Sequence, residues 1–501
     1  MTVEPVVWIS LLVFGPLVAA LLALEGRPRF IRFGLALGSG ASLVGSAGLW
    51  WTVAGSGPVR HALGGWSAPL GIELRADGLS VGMLALTAVV GSAVSLYSTA
   101  YFGSLSEVRA SPPAKHRATR FFAPLWLLLW TSLNGIYLSG DLFNLYVTLE
   151  ILGLTAAAMV TLAATSRAST AAMRYLVLSL MGSLLFLSGV ALLYVTYGAL
   201  SLEALAAASS TELLPAVALA VMTVGLAVKT ALFPFHGWLP PAHASAPAPG
   251  SALLSALVVK ASFYILLRLW VDVYGDPTAA GLLVLGLLGA AAILWGSILA
   301  LRQVSLKQLV AYSTVAQLGY LFVMFPLLWP QTGGWGAEAW AGGLLHGLSH
   351  GVAKAAMFLA AGCITYAVAR DDLPSLSGLA HRLPVSFFAF GVAGMGLAGI
   401  PPSGGFVAKW LMLRSAAGTG QWGWVLVIGV GGVLTAAYVL LVIRSGLGRS
   451  EADEPVRPVP RRMEWTALGL ALLGVVMGLW PNEILALLEV GFAGAGEAVP
   501  P

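Results

Sequence analysis

Stretches of about 20 apolar residues, each closed by a short polar or Gly/Pro-containing segment, follow one another along almost the whole chain. That length is what a helix rising 1.5 Å per residue needs to cross the hydrocarbon core of a bilayer. Fourteen spans are predicted, at residues 6–24, 33–54, 77–101, 121–139, 141–165, 175–198, 213–233, 243–271, 279–301, 306–329, 338–368, 385–413, 421–443 and 463–488. Several exceed a straight crossing, so tilted or interrupted helices are expected. The first run, Val6 to Leu24, is too long for the apolar part of a cleavable signal, and Glu4 precedes it where basic residues would stand. It is read as the first spanning helix. The expected fold is an all-α polytopic membrane protein.

Composition agrees. Of 501 residues 58% are hydrophobic and 9% charged, where a soluble domain carries about a quarter charged. A water-soluble enzyme, a disordered chain and a coiled coil are excluded. The single cysteine, Cys363, permits no internal disulfide, Cys-based zinc site or iron–sulfur cluster. The net charge of +5 is no sign of nucleic acid, because in a membrane protein the distribution of Lys and Arg between loops carries the information.

With fourteen spans, Arg27, Arg29, Arg32, Arg109, Lys115, Arg117, Arg120, Arg167, Arg174, Arg302, Lys307, Arg370, Arg382, Arg444, Arg449, Arg457, Arg461 and Arg462 fall on one side. Arg60, Arg75 and Arg414 fall on the other. A missed helix would invert every later loop and destroy this split of eighteen against three. The positive-inside rule then places the basic loops in the cytoplasm and both termini on the extracytoplasmic side of the cell (inner) membrane. Arg268, four residues before Asp272, is expected to snorkel at an outer helix end.

Five charges lie well inside spans: Glu150, Lys229, Lys260, Lys354 and Lys409. Each costs about 2.5–3.5 kcal/mol at mid-membrane, and five unpaired would cost roughly 12–18 kcal/mol, comparable to the stability of a whole domain. They are therefore expected to face one another, water or a partner. Structural ion pairs are the bland reading; an ion path is the functional one.

Two spans are interrupted beside a lysine. The first runs Lys229-Thr-Ala-Leu-Phe-Pro234-Phe-His236-Gly-Trp-Leu-Pro240-Pro241-Ala-His243, the second Gly399-Ile-Pro401-Pro402-Ser-Gly-Gly-Phe-Val-Ala-Lys409. Proline cannot continue a regular helix, and unwound backbone at membrane depth survives only where it lines a cavity or is covered by protein. A pair of such breaks points to inverted repeats with the site at the breaks. The breaks are five spans apart, which predicts two inverted five-helix repeats, at 121–275 and 276–445, flanked by an N-terminal three-helix segment (1–120) and a C-terminal helix and tail (446–501). An odd number of helices forces the second copy to run in the opposite direction.

His346, His350 and Lys354 are spaced by four and share one helix face. No Glu or Cys nearby completes a zinc site, so no metal is expected, whereas histidines that titrate near neutral pH suit proton relay. Moving Glu150 toward or away from Lys229 would switch the proton affinity of the lysine. Gly394-Met-Gly396-Leu-Ala-Gly399 matches a dinucleotide fingerprint only in letters; with no strand before it, close helix packing explains it. There is no P-loop. The basic loop Arg109 to Arg120 is read as orientation signal or lipid contact, and Leu202 to Leu214 as an interfacial helix.

These residues resemble a known family: the antiporter-like membrane subunits shared by Mrp-type sodium/proton antiporters, respiratory complex I and membrane-bound hydrogenases. Gly140-Asp-Leu-Phe-Asn-Leu-Tyr-Val-Thr-Leu-Glu150 is similar to the family's fifth-helix motif, especially in the Mrp D-type subunit. Lys229 to Pro234 with Trp238-Leu-Pro240 resembles the broken seventh helix, and Lys260 the eighth-helix lysine. Leu306-Lys-Gln-Leu-Val-Ala-Tyr-Ser-Thr314 with Gln317-Leu-Gly-Tyr320 resembles a further signature. His346, His350 and Lys354 match the eleventh helix, and Gly399 to Lys409 the broken twelfth. The resemblance implies about fourteen helices, Glu150 and Lys229 as the ion pair of one half-channel, and Lys260 as the link to the centre. It implies His346, His350 and Lys354 as carriers to Lys409 at the exit of the other. It also implies no bound cofactor, no catalytic chemistry in the chain itself, and work within a complex of other membrane subunits, moving protons with sodium as a candidate second ion.

Two departures blur the subtype. Ser305 replaces an aspartate common in relatives, so any role of that acid is expected to be missing, and Pro241 to Pro247 is closer to complex I and hydrogenase forms. The expected function is a proton-translocating subunit of an Mrp-type monovalent cation/proton antiporter. The alternatives are a pumping subunit of a complex I-like NADH:quinone oxidoreductase (a translocase) or membrane-bound hydrogenase, a stand-alone secondary transporter, and a non-conducting scaffold.

Overall fold

The computed structural model describes residues 4–66, 71–106, 113–208, 212–274, 278–329, 334–448 and 456–492. Two helices, α1 (Pro5–Ala23) and α2 (Pro28–Ser56), lead into a hairpin of β1 (Val59–Ala62) and β2 (Glu73–Ala76), paired antiparallel with Val59 opposite Ala76. Then come α3 (Gly78–Ser106), α4 (Pro113–Leu138), α5 (Leu142–Thr161), α6 (Ser166–Tyr197), the short α7 (Leu202–Ala208), α8 (Leu213–Thr230) and α9 (Leu239–Ser245). The next span joins α10 (Ala248–Leu253), a π-turn (Leu254–Val258), α11 (Val259–Arg268) and a second π-turn (Leu269–Val273). The rest is α12 (Ala279–Leu301), α13 (Leu306–Leu328), α14 (Trp335–Val368), α15 (Leu379–Arg382), α16 (Pro384–Ala398), α17 (Gly404–Gly418), α18 (Trp422–Leu447), α19 (Arg461–Leu479) and α20 (Asn482–Glu489).

Among the described residues thirteen helical stretches are long and apolar enough to cross a membrane. The fourteenth expected span, 385–413, is α16 followed by α17, each too short alone because the chain unwinds between them. The span expected at 243–271 starts at Ala248, since His243 to Ser245 complete α9. Leu202 to Leu214 is not one interfacial helix: α7 ends at Ala208, residues 209–211 lie outside the described residues, and Leu213 already belongs to α8.

Polar side chains start several helices by accepting a first-turn amide that has no intrahelical partner. Asp141 accepts from Asn144, Thr165 from Ala168, Ser305 from Gln308 and Ser403 from Phe406. Loops expected on one face meet there. Gly140 N donates to Glu73 O at 3.0 Å, Asp141 bridges to Ser201, and Gly78 N donates to Val490 O at 3.0 Å. On the opposite face Ser305 bridges to Asp372, and Arg457 N donates to Ala367 O at 2.9 Å. Arg109 and Arg449 lie outside the described residues.

The span Ala248–Val273 is buried throughout, and α13 and α14 nearly so, whereas α1, α2, α18 and α19 are buried over only a third of theirs. Their outer faces carry Phe14, Trp51, Leu426, Val433 and Leu472, all exposed. Such a surface is stable only in contact with lipid or another apolar surface. The polar chemistry is concentrated on the central helices.

Candidate functional site: a row of buried titratable groups

Lys229 lies one residue before the end of α8. Ala231 turns into the left-handed region (φ 58°), and Phe233–Pro234 is a cis peptide leading into a 3-10 turn, Phe235–Trp238. Trp238 Nε1 donates to Val228 O at 2.9 Å and ties the break back onto the helix. The Lys229 ammonium approaches Glu150 Oε1 of α5 and Leu149 O, each at 3.4 Å. Glycines make the room: a Cβ on Gly182 of α6 would lie 2.9 Å from Lys229 Cγ and 2.7 Å from Gly225 O. Glu150 is the less enclosed partner, its side chain 20% exposed against 5% for Lys229.

Beside Lys229, the Thr230 hydroxyl donates to Ser262 Oγ of α11 at 3.1 Å. Lys260, 1% exposed, donates to Ser255 O at 3.1 Å. Ser255 sits in the π-turn, where wider winding changes which carbonyls the helix itself uses, a distortion often found at functional positions. Ser255 Oγ is 2.8 Å from Thr314 Oγ1 of α13. Thr314 Oγ1 in turn donates to Val310 O at 3.2 Å, and that carbonyl also accepts from Lys354 Nζ of α14 at 2.9 Å. Lys354 further donates to Ser313 Oγ.

On α14 the His350 and His346 rings stack at 5.8 Å. His346 Nε2 meets Gln317 O at 3.1 Å, and its ring lies 5.0 Å from Tyr320. The ammonium of Lys409 on α17 sits 4.3 Å above that same Tyr320 ring and donates to Leu397 O at 2.6 Å. Leu397 lies at the end of α16, where Gly399 (φ 83°), the cis Pro401–Pro402 peptide and the Ser403 cap reverse and restart the chain. The expected lysines and histidines of α8, α11, α14 and α17 thus lie on helices that touch through Thr230–Ser262 and Ser255–Thr314, with Tyr320 between His346 and Lys409. Glu150 and Lys229 are the row's only ion pair among the described residues. The other three lysines are held by carbonyls and hydroxyls. Both ring nitrogens of His350 and Nδ1 of His346 have no hydrogen-bond partner among the described residues, although both rings are buried.

The remaining expected residues lie apart or serve the backbone. His243 is fully buried between Trp238 and Phe358 with both ring nitrogens unpartnered among the described residues, and Pro240 is buried in α9. His236 stacks on Phe233 outside the row. Pro234, Pro401 and Pro402 are exposed at the surface of the bundle. The breaks therefore reach the outside at Pro234, Pro401 and Pro402, whereas Pro240 and the adjoining Lys229 and Lys409 are buried.

Two expectations need correction. Arg268 keeps its Asp272 partner at 3.0 Å but does not snorkel. It is 4% exposed and binds both oxygens of Asp77, at 2.7 and 2.5 Å, with Arg75 and Ser80 completing the cluster. Lys307, counted as a loop cation, is buried at the start of α13 and donates to Ala246 O at 2.5 Å. Ser305, where an aspartate is common in relatives, donates its Oγ to Asp371 Oδ2 of another loop at 2.6 Å. One group escapes the sequence reading. Glu338, two turns before His346 on α14, pairs with Arg414 at 3.0 Å while its second oxygen is buried without a partner among the described residues. Its spacing of eight from His346 is the signal that could have found it.

The family model described as NADH:quinone oxidoreductase/Mrp antiporter, TM, matches residues 139–435. The chain is 34% identical to the N-type subunit of the NADH-quinone oxidoreductase of Desulforudis audaxviator, over 96% of this chain and 97% of that one. It is 31% identical to the D-type subunit of the Na(+)/H(+) antiporter of Alkalihalophilus pseudofirmus, over 71% and 69%. Its fold superposes on a chain of the Mrp complex from a Dietzia species with a TM-score of 0.87 at 27% identity, covering 99% of this chain and 97% of that one.

Proposed function

The chain belongs to the NADH:quinone oxidoreductase/Mrp antiporter transmembrane family, and from that premise we propose that it conducts protons along the row from Glu150 and Lys229 through Lys260, Lys354, His350 and His346 to Lys409. The observation that carries this reading is the row itself. Four lysines on four different helices are buried, and hydroxyls or an aromatic ring lie between successive members. Three of the lysines have neutral acceptors only, so gaining or losing a proton breaks no ion pair there. Nδ1 of His346 and both ring nitrogens of His350, without a partner among the described residues, can give or take a hydrogen bond along the path. Such groups cost about 1–3 kcal/mol each when left unpaired, which favours water in the gaps. At the other end, Glu150 holds Lys229 by charge and sets how readily it releases a proton. Glu338, paired with Arg414 at 3.0 Å, adds a carboxylate two turns before His346 on the same helix.

In this reading residues 121–275 and 276–445 are the two half-channels, each with one broken helix. The basic loops face the cytoplasm and both termini the other side. The exposed Pro234, Pro401 and Pro402 argue for further membrane subunits around the chain, because unwound backbone is not left bare to lipid. An Mrp-type cation/proton antiporter supplies such a complex, and the match to the Dietzia Mrp chain supports it. A redox-driven, complex I-like pump is the second reading, favoured by full-length similarity to an N-type oxidoreductase subunit.

Vesicles carrying the whole complex test both. Lys229→Ala, Lys354→Ala and Lys409→Ala should each lower proton movement by roughly 100-fold or more, the usual contribution of one positioned acid–base group. Subunit content should stay unchanged. Retained transport with lost assembly would instead make the lysines structural. Proton movement driven by a sodium gradient supports antiport, and movement driven only by electron donors supports the pump.

A further inference from the structure

At the face that carries the basic loops, the amino end of α2, the last turns of α3 and the start of α4 enclose a cavity of about 430 Å³. Its walls mix apolar side chains, Ile31, Leu35, Phe102 and Phe122 among them, with the hydroxyls of Ser98, Thr99 and Thr119, and its mouth carries two exposed cations, Arg32 and Arg120. Arg27 nearby is already paired with Glu25 at 2.9 Å, but neither Arg32 nor Arg120 has a carboxylate within ion-pair distance among the described residues. The placement of Arg120 is built in. It packs across the turn between α1 and α2, where a Cβ on Gly26 would lie 2.7 Å from its Nε, and Gly26 itself has φ 77°. The amino end of α2 adds partial positive charge, since Pro28 is its first residue and Arg27 offers no side-chain cap. α1 and α2 are buried over only a third of their spans, so this edge of the bundle is an outer one.

We propose that this cavity binds one anionic phospholipid of the leaflet next to the basic loops, its phosphate at Arg32 and Arg120 and the start of an acyl chain against Ile31. The arrangement complements that molecule in both parts: guanidinium groups without a carboxylate partner among the described residues, and apolar side chains within a turn of them. Basic pockets between spanning helices on the cytoplasmic side are suited to such headgroups. Arginine matches a phosphate with two parallel donors, which a lysine does not. A zwitterionic lipid brings its own ammonium group and gains less from two cations.

The test uses the assembled, delipidated complex in detergent and a fluorescent phosphatidylglycerol, competed with unlabelled phosphatidylglycerol, phosphatidylcholine or inorganic phosphate. Phosphatidylglycerol should compete, while the other two should not at the same concentration. Arg32→Ala and Arg120→Ala should each weaken binding about fivefold, the weight of one basic residue at a charged surface. The double variant should weaken it about 25-fold on the same basis, and Arg32→Lys with Arg120→Lys, which keeps the charge and loses the paired donors, should fall between the unaltered protein and that double variant. If the double alanine variant does not assemble, the exposed single change Arg32→Gln carries the comparison. Equal competition by phosphatidylcholine, unchanged affinity in the alanine or glutamine variants, or competition by inorganic phosphate alone would each overturn the proposal. So would a photo-cross-linker at Phe121, in native membranes, that captures a neighbouring protein subunit and no lipid.

Discussion

The carboxylate of Asp77 sits just ahead of α3, 1% exposed, with both oxygens held by Arg268 and one shared with Arg75. Burial alone would push this carboxyl up. The charge and hydrogen bonds of Arg268, then Arg75 and the Ser80 amide, outweigh it and hold the group down at about 2, against an ordinary 3.8. A value depressed in the folded state stabilises the protein above the unfolded value. That contribution is lost as pH falls from about 4 to about 2. The shift amounts to about 2 kcal/mol at neutral pH. Asp77→Asn leaves Arg268 without its main counter-charge and should cost about 3–5 kcal/mol at pH 7. Denaturation of the two proteins across pH 7 to 2 should show this difference shrinking below pH 4. A gap that stays constant would mean the pair is not what distinguishes them.

At the next level up, the turn between α16 and α17 sets where Lys409 points. Gly399 combines two demands: φ is 83°, and a Cβ there would lie 2.9 Å from Lys409 Cδ. Gly420, between α17 and α18, has φ 70° but open space around it. Alanine at either position should cost about 1–2 kcal/mol for the left-handed backbone. Only Gly399→Ala should also displace the lysine and lower proton transport. Parallel measurement of unfolding temperature and transport separates the two effects, and equal transport loss in both variants would remove the special role of the first turn.

Across the bundle, the span that carries Lys260 meets α13 at the Ser255–Thr314 hydroxyl contact, 2.8 Å long and buried. Replacing both partners, Ser255→Ala with Thr314→Val, removes two hydroxyls together, which leaves no orphaned partner and should be nearly neutral for stability. Lys260 keeps its bond, because it uses the Ser255 carbonyl. If protons pass between the halves here, transport should fall about tenfold or more, a modest share of what one acid–base group contributes. Unchanged transport would route the connection elsewhere.

Length and hydropathy located the spans, because crossing a bilayer is a property of each segment taken alone, but not every end: the span expected at 175–198 starts at Ser166, the one at 213–233 runs on to Ser245, and the one at 463–488 ends at Leu479 with α20 a separate helix. The loops expected to share a face do touch, from Glu73 with Gly140 to Ser305 with Asp372. The buried lysines and the histidine stripe were legible for the same reason, as costly residues at known depth. Their partners were not. Which residue faces Lys229 depends on how α5 and α8 are rotated and how closely glycines let the helices approach. Lys260, Lys354 and Lys409 take carbonyls that a π-turn, α13 and the end of α16 happen to present. Arg268 finds Asp77 across 191 residues of chain. Helices buried on every side show no polar face from which such contacts could be read. Rotation and depth follow from packing against neighbours, and those neighbours exist only in the folded bundle.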